Sequence, residues 1–191
     1  MIRTIVNPNR AEWSDLMKRA VNDTAELRET VAGIIADVRT RGDEALRDFS
    51  RKFDGVELGS LKVSADEIAE ADDIVAHPLK QAIALAAKNI SNFHKAQRME
   101  EITVETVPGV TCSQRAVPIS KVGLYVPGGN SPLFSTVLML AIPARIAGCR
   151  KIVLCTPPNK EGKVHPAILY AARVAGVTEI YKVGGAQAVA A

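Results

Sequence analysis

Between Val122 and Ala191 the chain alternates short apolar runs with amphipathic segments, and this restricts the fold more than any other feature. Residues 122–126, 151–155 and 179–183 have the length and composition of buried strands. Ser135 to Gly148 and Pro166 to Gly176 read as helices, with Pro opening the second and Gly closing both. Gly185 begins a third. Strands and helices at this spacing call for right-handed crossovers, hence a parallel, doubly wound sheet of the α/β class. Pro143 lies inside the first of these helices and removes a backbone donor, so a kink is expected there.

The first hundred residues read instead as helices. Trp13, Leu16, Met17 and Ala20 recur at helical spacing, as do Leu27, Val31, Ile34, Ile35 and Val38. Gly42 interrupts the second stripe. Asp43 is expected to cap the following helix, which would bury Leu46, Phe49 and Phe53. Ser64 with Glu67 three residues later forms a capping-box signature. Pro78 fits the first turn of a longer helix whose stripe is Leu79, Ile83, Ala86, Ile90 and Phe93. Near Glu101 the texture changes: residues 102–107 alternate, Pro108-Gly109 signals a turn, and residues 110–117 complete a hairpin. These readings divide the chain into a mainly helical region at 1–110, part of a first domain, and a parallel, Rossmann-like but incomplete βαβαβ unit at 111–191. The run Ala186 to Ala191 has neither a capping Gly nor a basic last turn, so the expectation is a chain cut inside an element.

Composition narrows the partners. A net charge of +3 with opposite signs interleaved does not call for nucleic acid or an anionic membrane. The cluster Arg39, Arg41, Arg47, Arg51 and Lys52 is mixed with Asp43, Glu44, Asp48 and Asp54, which reads as a solvated helix face. Three cysteines, Cys112, Cys149 and Cys155, form no CxxC pair and suggest neither a zinc site nor a disulfide framework. Cys149 and Cys155 sit in apolar runs and read as small buried hydrophobes. Residues 1–10 carry no signal-like apolar core, and the longest apolar stretch, Thr136 to Ala144, is too short for a bilayer. A soluble, cytoplasmic setting is the default expectation.

Ligands of an open parallel sheet bind beyond the carboxyl ends of its strands. Three loops leave those ends: Tyr125 to Ser131, Thr156 to Asn159, and Gly184 to Gln187. Gly128 and Gly129 allow backbone to approach a ligand, or simply make a tight strand-to-helix turn. Ser135 or Thr136 could cap a helix facing the crevice. Tyr125 offers a flat face and a hydroxyl, and Gln187 a donor and an acceptor. His77, His94 and His165 are scattered and read as solvated, the first and last in helix-entry loops. The residues alone assemble no catalytic constellation.

Three segments, Gly123-Leu-Tyr-Val-Pro-Gly-Gly129, Ser135-Thr-Val-Leu-Met-Leu-Ala-Ile-Pro-Ala144 and Val183-Gly-Gly-Ala-Gln-Ala-Val-Ala190, closely resemble histidinol dehydrogenases. So do Arg41-Gly-Asp-Glu-Ala-Leu-Arg47 and Lys52-Phe-Asp54, and the likeness runs from about residue 25 to the end. The resemblance implies part of an NAD-dependent, zinc-requiring enzyme that oxidises L-histidinol to L-histidine in two hydride transfers and works as a homodimer. It implies NAD contacts for Tyr125 and Gln187, and a place in the cofactor pocket for Phe53. The zinc ligands, the acid–base pair and a further NAD-contacting asparagine would all lie beyond Ala191, so the chain by itself is expected to carry no catalytic or metal-binding residue and no activity. Two other readings stay open. One is a stand-alone nucleotide-binding module. The other is half of an aldehyde-dehydrogenase-like enzyme, which would need Cys155 as nucleophile.

Overall fold

The computed structural model describes residues 4–18, 24–128 and 131–191. A 3-10 turn at Arg10–Glu12 leads into the short helix α1 (Trp13–Leu16). Helices α2 (Ala25–Arg41) and α3 (Asp43–Phe49) follow, and α3 continues as a π-helical turn over Ser50–Asp54. Then come α4 (Ala65–Ile74), α5 (His77–Ala96) and a hairpin of β1 (Ile102–Val107) and β2 (Val110–Gln114). The remainder runs β3 (Lys121–Tyr125), α6 (Phe134–Ala147), β4 (Lys151–Cys155), α7 (Pro166–Ala175), β5 (Glu179–Tyr181) and α8 (Gly185–Ala190).

Strands β3, β4 and β5 lie side by side in that order, all parallel, with Val122 opposite Ile152 and Leu154 opposite Ile180. The three-strand expectation therefore holds. Alternation sends Val122, Leu124, Ile152, Leu154 and Ile180 to one face, where they pack with Val137, Leu138, Ile142, Ile168 and Leu169 of α6 and α7. Helices α5 and α4 cover α6 and α7 in turn, with Ile83 and Ala71 entering the same core. Tyr125, Cys155 and Tyr181 point to the opposite face, against Val38 of α2, Ala45 and Leu46 of α3, and Ala188 of α8. Helices thus cover both faces. The strand order runs one way, so no reversal of order lies within these three strands.

Both halves of the chain build this core. Residues 61–63 add an antiparallel edge beyond β5: Val63 donates its backbone N–H to Ile180 (2.9 Å) and Lys182 donates to Leu61 (2.7 Å). Lys182, itself buried, reaches Glu67 at the start of α4 (2.6 Å). Glu67 also completes the predicted capping box with Ser64.

Gly148 and Gly176 close α6 and α7 at φ of 96° and 83°, the left-handed region that glycine enters without a Cβ penalty. Other expectations need correction. The residue capping α3 is Gly42, and Asp43 stands in the first turn. Leu133 precedes α6 without a side-chain bond, so Ser135 and Thr136 are inside the helix and cap nothing. Phe53 is not buried with Leu46 but 53% exposed. The π-turn adds residues per turn and moves Phe53 out of phase with the α-helical stripe. Phe93 is 65% exposed, three residues past Ile90, where the stripe of α5 last reaches the core. Trp13, Leu16, Met17 and Leu27 are also exposed, and Ala20 lies outside the described residues. The hairpin forms as expected, and both its strands are exposed along their whole length.

Candidate functional site

A cleft of about 1110 Å3 opens at the carboxyl ends of β3, β4 and β5. The three loops expected there all line it, through Tyr125, Gly128 and Ser131, through Thr156, Pro157 and Asn159, and through Gly184, Gly185 and Gln187. Phe53 and Asp54 reach it from the π-turn, and Ile34 from α2. The structure therefore brings together Tyr125, Gln187 and Phe53, residues far apart in the chain. Gly129 lies outside the described residues.

Tyr125 ends β3, and its hydroxyl accepts the backbone N–H of Gly185 at 3.0 Å. That bond ties the tip of β3 to the start of α8 and leaves the phenolic proton to donate. Gln187, in the first turn of α8, is only 2% exposed. Its side chain holds no hydrogen bond among the described residues. Gly185 adopts φ 65°, and a Cβ there would stand 2.5 Å from Gln187 Oε1. The left-handed backbone calls for glycine here, and a Cβ would in addition push the Gln187 amide out of its place.

The other glycines serve packing. A Cβ on Gly128 would fall 2.5 Å from Pro157 Cγ, and one on Gly184 would fall 2.7 Å from Pro157 Cβ. Pro157 is wedged between the first and third loops, and the two glycines make room for it. Neither of the two readings of Gly128 named this role: its missing side chain makes room for Pro157 of the neighbouring loop.

Asp54 was hidden in the sequence among the charges of a solvated face. Its neighbours behave as that pattern suggests: Arg41 pairs with Asp37 and Asp48, and Arg51 with Asp48, all at the surface. Asp54 does not join them. Its Oδ2 is buried with no hydrogen-bond partner among the described residues, and burial pushes its carboxyl above the usual aspartate range. Beyond its place in the Lys52-Phe-Asp54 segment of the resemblance, the available signal was its position between an aromatic residue and Gly55 at a helix end.

His165 also lines the cleft, and its Nδ1 accepts the N–H of Ala167 (3.2 Å), capping α7. His77 opens α5, and His94 bonds Gln97 near its far end. Among the described residues no group of three or more His, Cys, Asp and Glu is placed to hold a metal ion. Cys155 faces away from the cleft, half-buried beside the α3–α8 cluster, and burial pushes its thiol up. A half-buried thiol whose pKa is raised by desolvation is a poor nucleophile.

The family model described as histidinol dehydrogenase matches residues 17–191. The histidinol dehydrogenase of Bacteroides fragilis is 57% identical over 190 residues, covering all of this chain and 44% of that protein. That of Escherichia coli is 54% identical over 176 residues, covering 92% of this chain and 40% of that protein. A crystal structure of histidinol dehydrogenase from Elizabethkingia anophelis superposes with a TM-score of 0.91 at 46% identity, covering 96% of this chain and 42% of that one. The chain thus spans less than half the length of the relatives it matches, and corresponds to their N-terminal portion. With a match over nearly its whole length and the same backbone in a solved relative, the chain belongs to the histidinol dehydrogenase family.

Proposed function

We propose that this chain forms the cofactor-side wall of an NAD-dependent, zinc-requiring enzyme that oxidises L-histidinol to L-histidine in two hydride transfers. The observation that carries the reading is the meeting of Tyr125, Gln187 and Phe53 around one cleft at the carboxyl edge of a parallel sheet. The residues present fit a dinucleotide: a phenolic donor on Tyr125, an unengaged amide on Gln187, an exposed ring on Phe53 and an unpaired carboxylate oxygen on Asp54. NAD, when bound, supplies the hydride acceptor. Tyr125 and Gln187 bind and orient it, and the Pro157 wedge fixes the spacing of the loops that carry them. In this reading residues 1–110 furnish helical cover and 111–191 the parallel α/β unit.

The described residues do not fit zinc, and no step is assigned to it here. Hydride removal also needs a base for the hydroxyl proton, and the one histidine on the cleft spends its acceptor nitrogen on a helix cap. The 191 residues alone are therefore proposed to be inactive, within a parent that is a cytoplasmic homodimer. The test is NADH formation from histidinol with zinc supplied. The full-length gene product should turn over, the 191-residue chain should not, and mixing the chain with the separately made remainder should restore activity. Zinc-dependent turnover by the 191-residue chain at the rate of the full-length protein would refute the reading.

A further inference from the structure

The π-helical turn Ser50–Asp54 leaves a polar group without a counterpart. Single π turns inside helices occur often at functional positions, because they shift side chains out of helical phase. Here the turn ends at Gly55, which adopts a left-handed conformation at φ 69°, and Asp54 stands at the cleft wall. Its buried Oδ2 has no donor among the described residues. Each nearby cation is engaged elsewhere or out of reach. Arg41 and Arg51 pair with Asp48, and the Lys52 ammonium sits 5.3 Å from the Phe53 ring centroid. Lys160 lines the same cleft and forms no ion pair with Asp54. The Ser50 hydroxyl, fully buried on the same turn, is not hydrogen-bonded to it either. A buried acceptor left in this state is costly; Oδ2 itself exposes almost no surface, so a ligand donor meets this carboxylate at the cleft wall once the side chain turns, and the bond gained there would offset the cost.

The neighbouring residue narrows the chemistry of that donor. Phe53 stacks on Phe49 with rings 5.7 Å apart and nearly parallel, which holds a flat, half-exposed aromatic group at the cleft. Such a ring suits a nucleobase, and the hydroxyls closest to a base are those of its ribose. We propose that Asp54 accepts a hydrogen bond from a ribose hydroxyl of the dinucleotide and sets the preference for NAD over its 2′-phosphorylated form. This inference rests on the cofactor reading above. A hydroxyl donates to the carboxylate. A 2′-phosphate has no proton to offer at neutral pH and would bring further negative charge against an oxygen that no cation neutralises, in a partly buried place where screening is weak.

The experiment is a titration of the full-length gene product with NAD and with NADP, reading dissociation constants for the wild type, Asp54→Asn and Asp54→Ser, with melting temperatures alongside. The wild type should prefer NAD. Both variants should bind NAD about ten- to hundredfold more weakly, the range for a hydrogen bond to a charged group. The NAD-to-NADP preference should fall by about tenfold or more, chiefly because NADP is no longer repelled. That ratio does not depend on the fraction of protein that is folded, so a merely structural role would leave it unchanged. An unchanged ratio in both variants overturns the role of Asp54 while leaving the cofactor reading intact. Failure of the wild type to bind NAD at all overturns both.

Discussion

Pro157 shows how a single ring can set the geometry of a site it need not touch. The Cβ positions at Gly128 and Gly184 both collide with it, so Gly184→Ala should force the third loop away from the second and cost about 1–3 kcal/mol. Thermal or denaturant unfolding checks this. In a Pro157→Gly background most of that cost should vanish, because the colliding Cβ is gone, and the double-mutant cycle reports the coupling directly. Gln187→Ala should weaken NAD binding several-fold to about tenfold, and should also lower the melting temperature because the enclosed side chain leaves a cavity. A calorimetric titration of the full-length gene product reads this, and an unchanged dissociation constant would remove Gln187 from the site. Tyr125 and Gln187 were legible in the sequence because a strand end followed by glycine announces the carboxyl edge of a sheet. Asp54 was not legible. Interleaved charges say which residues are solvated on average, whereas the burial of one carboxylate oxygen depends on a π-turn and on packing that no local pattern encodes.

At the level of elements, the periodicities that marked strands and helices were sound where one packing partner governs a segment. The helix stops at Gly148 and Gly176, the capping box at Ser64 and the three parallel strands all follow from local chemistry. The edge segment at residues 61–63 escaped notice because three residues carry no period, and its partner is β5, far along the chain. Its anchor is the ion pair of Lys182 with Glu67. Burial alone would raise the Glu67 carboxyl, but the bonds from Lys182 and Ser64 outweigh it and hold the group below the ordinary glutamate value of 4.5. A depressed carboxyl contributes stability that is complete above the unfolded-state value and is lost as pH falls through the folded-state value. Glu67→Gln should therefore cost roughly 1.5–3 kcal/mol at neutral pH, and the gap from wild type should close below about pH 4.5. Melting curves across that range supply the measurement. In α5, Ile83→Ala should cost about 2–5 kcal/mol because Ile83 is fully enclosed, while Leu85→Ala on the exposed side should stay within about 0.5 kcal/mol.

For the whole molecule, the exposed apolar surface is concentrated away from the cleft. Ile102, Val104, Val107 and Val110 of the hairpin are open, as are Phe93, Val117 and Ile119. Apolar residues left open in this number favour association, so the 191-residue chain should self-associate as its concentration rises. Sedimentation showing a clean monomer at high concentration would count against this. Of the α5 stripe only Phe93 contributes, because Ile83 is enclosed and Leu79, Ala86 and Ile90 pack on the core. The antiparallel edge at residues 61–63 has a further consequence, in time. It donates one hydrogen bond to Ile180 and accepts one from Lys182, so a chain emerging from the ribosome makes this edge segment long before its partner exists. At ordinary elongation rates the interval is on the order of ten seconds. Through that interval α4 can form its capping box but has nothing to anchor it. Nascent chains stalled just before Tyr181 will be cut readily by protease near α4, and chains stalled far enough past Lys182 for it to clear the ribosome will resist.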